Sequence, residues 1–117
     1  MDSFKELALA PELMQALDKI NFTTPTKTQV ATLPLGLSGK DLAVCAATGS
    51  GKTAAFGIPI VNGLLKKPGR TALILAPTRE LAQQITVFMM ELIQFCPEIK
   101  ISSIVGGADI RLSLIHI

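Results

Sequence analysis

Tryptophan and tyrosine are absent from this chain, and five phenylalanines are its only aromatic residues. The core must therefore be aliphatic. Cysteine is scarce too: Cys45 and Cys96 stand alone, with no Cys-x-x-Cys pair and a single histidine, His116. That pattern excludes a disulfide framework and a Cys/His zinc module. Two buried, reduced thiols in an intracellular protein are expected instead. Charge is balanced, with 11 Lys and Arg against 9 Asp and Glu, a net +2. Bulk charge of that size gives no argument for nucleic acid, so any such reading must rest on particular residues. No apolar run approaches the roughly 18 residues that span a bilayer. The start, "MDSFKELALAPEL", carries acids where a signal peptide would have an apolar core. A soluble protein is expected by elimination.

What is present is one small domain's worth of chain, 117 residues at 49% hydrophobic. "APELMQALDKI" places Leu13, Met14, Leu17 and Ile20 at helical spacing. A second helix is expected in "TKTQVATLPLGL" after Pro25. Thr53 to Leu65 reads as a third, with Pro59 inside it predicting a kink. Arg79 to Phe95 is the clearest helix, with Leu81, Ile85, Phe88 and Leu92 on one stripe. Met89 and Met90 in it read as core packing or a partly exposed surface. Between the helices lie three short apolar runs of strand length, "DLAVCA", "TALILA" and "KISSIV". Strands alternating with helices predict an α/β fold with a parallel sheet and flanking helices.

The stretch "CAATGSGKTAAF" carries the chemistry. It follows an expected strand and opens an expected helix. Small residues let backbone N–H groups close around an anion, and the helix start adds its positive dipole end. Lys52 then supplies a cation for the β and γ phosphates, and the Thr53 hydroxyl suits Mg²⁺. The motif is G-x-x-x-x-G-K-[ST], with Ala46 standing in its first position. A Gly/Ser turn followed by a surface lysine is the plain alternative, and the strand-before, helix-after context disfavours it.

Four stretches occur in order: "FTTPTKTQ", "AATGSGKT", "PTRELAQQ" and the pair Gly106 and Gly107. Together they resemble the DEAD-box family of ATP-dependent RNA helicases, over about Phe4 to Arg111. The resemblance implies the N-terminal part of a first RecA-like, P-loop domain, with residues 1–30 carrying adenine recognition. It implies that Gln29 reads adenine, that Phe22 stacks on the base and that Phe4 supports the motif. It implies phosphate contacts from Ala47, Thr48, Gly49, Ser50, Gly51, Lys52 and Thr53, with Lys52 and Thr53 catalytic and Thr53 holding Mg²⁺ through the nucleotide. Pro77, Thr78, Arg79, Gly106 and Gly107 correspond to RNA-backbone contacts, which carry little sequence preference. Glu80 reads as an ordinary first-turn helix acid.

The chain departs from the family in several places. Asn21 replaces the usual glycine before Phe22, though asparagine also tolerates positive φ. Beyond the loop the only acids are Glu80, Glu91, Glu98 and Asp109. None forms the "DEAD" run that the family uses for Mg²⁺ and water, and the second RecA-like domain is likewise expected elsewhere. Residues 113–117 leave the family pattern and are expected to be a non-native tail. A sheet of these three runs alone lacks neighbours, which predicts low stability in isolation. Three readings stand at this point. They are an ATP-dependent RNA helicase, a truncated nucleotide-binding module without turnover, and an unrelated P-loop enzyme such as a small kinase. A nuclear or nucleolar location is compatible with the first.

Overall fold

The computed structural model describes residues 3–44 and 51–104. A 3-10 turn at Phe4–Leu7 opens it, closed by the Ser3 hydroxyl, which accepts the Lys5 N–H at 3.2 Å. Helix α1 (Pro11–Lys19) follows, with proline at its first position, where the missing N–H has no intrahelical partner to lose. Leu13 and Leu17 of the expected stripe are buried, and Met14 and Ile20 pack half-buried beside them.

The end of α1 aims the chain at Phe22. Asn21 adopts φ 62°. Its N–H donates to the Asp18 carbonyl at 3.1 Å, and the Phe22 N–H donates to the Leu17 carbonyl at 2.8 Å. This is a Schellman stop, whose left-handed residue fixes where the next side chain goes. The expectation of positive φ at Asn21 therefore holds, and it has a use. Asn21→Gly should keep the stop, whereas Asn21→Val should cost about 1–2 kcal/mol, the strain of a left-handed non-glycine residue. Denaturant unfolding of the two variants measures the difference.

Helix α2 (Lys27–Leu37) starts with a capping box. The Thr26 hydroxyl accepts the Gln29 N–H at 3.2 Å, and Gln29 Oε1 accepts the Thr26 N–H at 2.9 Å. Helix α3 (Lys52–Lys66) runs through Pro59 without interruption. The proline ring lies against α2, where a side chain at Gly36 would put a Cβ 3.1 Å from Pro59 Cγ. Helix α4 (Arg79–Leu92) is one turn shorter than the sequence suggests. Ile85 and Leu92 are buried, Phe88 is half-buried and Leu81 is exposed. Met89 is buried whereas Met90 faces solvent. Gly57 lets α4 close on α3: a Cβ there would lie 2.9 Å from Met89 Sδ and 3.3 Å from Leu92 Cδ1.

The core joins Phe4, Leu13 and Leu17 to Leu33 of α2, Ile58 and Val61 of α3, and Ile85, Met89 and Leu92 of α4. A buried polar residue links α3 to the entry of α1. Asn62 of α3 accepts the Ala10 N–H at 2.9 Å, capping the backbone entry to α1, which has no side-chain cap of its own. Cys96 is buried and free. Burial first, then Glu98 and Glu12, pushes its thiol above the ordinary cysteine range. Cys45 lies outside the described residues.

The three expected strands are the point of difference. Among the described residues of 41–46, 71–76 and 100–105 no strand forms. Strand state requires a hydrogen-bonded ladder to a neighbour, and no such ladder joins these segments where they are described. Sidedness is nevertheless present. Ile74 and Ala76 pack on the helical core, as do Ile99 and Ile101. Leu73 and Leu75 are 82% and 83% exposed. Side chains thus alternate with a period of two, but the backbone forms no ladder. No helix among the described residues is long and apolar enough to cross a membrane.

Candidate functional site

Helix α3 begins differently from α2 and α4. Threonine closes α2 through Thr26 and α4 through Thr78, whose hydroxyl accepts the Leu81 N–H at 3.1 Å. Helix α3 begins with Gly51 at φ 84°, with no side-chain cap, and then Lys52 and Thr53. Its first N–H groups have no intrahelical acceptor. An exposed lysine at the positive end of a helix is electrostatically unfavourable until an anion joins it. This is chemistry suited to phosphate. Lys52 is exposed and Thr53 half-buried.

Gly51 is required by its surroundings as well as by its φ. A Cβ there would lie 2.9 Å from Thr26 Oγ1 and closer still to Gln29 Nε2. Gln29 explains why. Its side chain is only 2% exposed. Oε1 is bonded to the Thr26 N–H, and Nε2 donates to the Gly51 carbonyl at 3.3 Å. One amide therefore closes the start of α2 and ties it to the start of α3. A glutamine amide has two donor hydrogens and two acceptor lone pairs, and these bonds use one of each. Sequence reasoning places Gln29 beside a nucleotide but misses this tie, although T-x-x-Q at 26–29 is itself the capping-box signal.

Phe22 is half-buried in a cluster of three rings. It stacks on Phe4 at a centroid distance of 6.1 Å and 25°, and meets Phe88 at 5.6 Å and 45°. The support expected from Phe4 is thus present as direct ring contact. The contact with Phe88 is new, since the sequence shows that residue only as part of the α4 stripe.

At the other candidate site, Pro77, Thr78 and Arg79 are all exposed at the start of α4. Capping uses a lone pair of Thr78 Oγ1 and leaves its O–H free to donate. Arg79, like Lys52, is a cation at a positive helix end. Glu80 occupies the first turn, as expected for a helix acid. Ala47, Thr48, Gly49 and Ser50, and also Gly106 and Gly107, lie outside the described residues.

Two solved structures share this architecture over nearly the whole chain. One is a DEAD box protein from the hyperthermophile Methanococcus jannaschii, with a TM-score of 0.88 and 35% identity, covering 99% of this chain and 32% of that one. The other is the RNA helicase Prp28 from Chaetomium thermophilum bound to ADP, with a TM-score of 0.85 and 35% identity over 97% of this chain and 29% of that one. The class is a helicase domain of the RecA-like type. The family model for DEAD/DEAH box helicases matches residues 26–116, and the chain belongs to that family.

Relatives agree along the sequence. The chain is 43% identical over 113 residues to mouse "Probable ATP-dependent RNA helicase DDX27", covering 93% of this chain and 15% of the relative. It is 46% identical over 114 residues to Arabidopsis thaliana "DEAD-box ATP-dependent RNA helicase 28", with 94% and 14% covered. Against "ATP-dependent rRNA helicase RRP3" of Eremothecium gossypii it is 58% identical over 84 residues, with 71% and 17% covered. The chain thus spans about 15% of the length of such relatives.

Proposed function

We propose that this chain is the nucleotide-binding opening of an ATP-dependent RNA helicase, and that the start of α3 holds the phosphates of ATP. The uncapped, lysine-bearing helix start behind Gly51 carries the reading. Lys52 neutralises the β and γ phosphates, and the N–H groups of the first turn of α3 donate to their oxygens. Ala47, Thr48, Gly49 and Ser50 complete the cradle from the preceding loop. The half-buried Thr53 hydroxyl, one residue into the helix, would hold Mg²⁺ together with the nucleotide phosphates. When bound, Mg²⁺ offsets the phosphate charge and polarises the γ-phosphoryl group.

On the base side, Phe22 stacks on adenine. Gln29 spends its second lone pair and second hydrogen on the N6 and N7 edge, the bidentate pairing an amide makes with adenine. RNA lies along the start of α4. There the free O–H of Thr78, the Arg79 guanidinium and the backbone at Pro77 meet phosphates, with Gly106 and Gly107 at the next backbone contact. Such contacts set position and carry no base sequence. The likeness to an rRNA helicase supports ribosomal RNA as the substrate class. Segments 41–46, 71–76 and 100–105 become strands of a parallel sheet when the complete domain supplies neighbours for their ladders.

Hydrolysis also needs an Asp for Mg²⁺ and a group that orients water. The acids after the loop in these 117 residues are isolated in sequence, so turnover belongs to the longer protein. An RNA-stimulated ATPase assay on that protein tests the proposal. Activity should rise with RNA and fall at least about hundredfold in Lys52→Ala, the scale of losing an electrostatic stabiliser of the transferred group. Turnover indifferent to RNA, or unchanged in Lys52→Ala, would count against it.

A further inference from the structure

We propose that Phe88 is a positioning residue for adenine recognition: it holds the ring of Phe22 at the angle that stacks on the base. The proposal rests on the reading of Phe22 as the stacking ring and extends it to a residue outside every recognised motif stretch.

Backbone geometry fixes where Phe22 begins but not how its ring is turned. The Schellman stop at Asn21 sets the Cα–Cβ direction. The ring torsion of phenylalanine is broad and is set by neighbours. Two rings supply them. Phe4, buried in the 3-10 turn, lies nearly parallel to Phe22. Phe88 comes from α4, far along the chain, and meets the ring at 45° with the shorter centroid distance, 5.6 Å. Phe4 alone allows the Phe22 ring to slide in its plane, and the tilted Phe88 ring blocks that motion.

Phe88 packs half-buried against the helical core. It sits at the close crossing of α3 and α4, its Cε2 3.7 Å from the point that a Cβ added at Gly57 would occupy. The helix that starts at the phosphate site and the helix that starts at Thr78 thus both bear on the ring that bears on Phe22. Losing the Phe88 ring should loosen the base contact and leave the phosphate contact intact.

Calorimetric titration of the 117-residue chain with ADP and with inorganic pyrophosphate tests this. Pyrophosphate has phosphates and no base. Phe88→Leu should weaken ADP binding about five- to tenfold, the scale of one aromatic pair, with pyrophosphate binding unchanged. Phe88→Tyr should restore ADP binding. Equal losses for both ligands would make Phe88 a merely structural residue, and unchanged ADP binding would remove it from recognition; either overturns the inference. Phe22→Leu separates the two levels. If it lowers ADP binding selectively while Phe88→Leu is silent, only the role of Phe88 fails. If Phe22→Leu is silent too, or the parent chain binds no ADP, the stacking reading falls with it.

Discussion

Gly51→Ala is expected to abolish measurable nucleotide binding and to cost the fold about 2–4 kcal/mol. Two effects add. The residue sits at φ 84°, and a left-handed non-glycine residue costs about 1–2 kcal/mol. The new methyl would also collide with the Gln29 amide and crowd Thr26 Oγ1 at 2.9 Å. Those are not free ends that can swing aside. Gln29 is buried and bonded at both ends of its amide, and Thr26 caps the helix that carries it. Relief means breaking the tie between α2 and α3 or turning the Gly51 peptide out of line, and either moves the N–H groups proposed to receive the phosphates. ADP titration reads the first effect and urea unfolding the second. Gly39→Ala is the control. It also has positive φ, 86°, but nothing lies within 4 Å of its added Cβ. It should show the backbone cost alone and keep ADP affinity.

Ile58→Ala should lower the thermal midpoint of the chain more than any substitution outside the core. Ile58 is fully buried on α3 and belongs to the core that all four helices share. Truncating such a residue costs about 2–5 kcal/mol, the transfer energy plus the cavity left behind. A domain of this size holds only about 5–15 kcal/mol in total. Here the margin is narrower still, because segment 71–76 has apolar side chains in solvent and no strand ladder. Leu75→Ala makes the contrast. That leucine is 83% exposed, and its loss should fall within about 0.5 kcal/mol. Thermal melts followed by helical circular dichroism distinguish the two. A cooperative Ile58→Ala melt close to that of the parent would mean that the helices do not share one core.

The helices were legible because their signals are local. Leu13, Leu17, Ile85 and Leu92 repeat at helical spacing, and Pro11, Thr26 and Thr78 mark starts. The proposed phosphate site was legible for the same reason, since Gly51, Lys52 and Thr53 are consecutive. The tolerance of asparagine for positive φ anticipated Asn21. What stayed hidden depends on contacts between distant parts of the chain. Nothing in the spacing of Gln29 says that its amide is buried against Gly51, and nothing in the stripe of α4 says that Phe88 meets Phe22. The expected strands lack their ladders among the described residues for a related reason. "TALILA" carries the right residue types, and Ile74 and Ala76 do face the core, but a strand is completed by a neighbour's backbone. Side-chain pattern reports burial, and it says nothing about whether a partner for the ladder is at hand.

Amide NMR of the 117-residue chain during an ADP titration tests most directly whether the start of α3 holds phosphate. The largest shifts are expected at the N–H groups of Gly51, Lys52, Thr53 and Ala54. Smaller shifts are expected at Phe22 and Gln29, and all of them should be lost in Lys52→Ala. Saturable shifts centred elsewhere, or a Lys52→Ala chain that responds to ADP like the parent, would contradict a phosphate site at the start of α3.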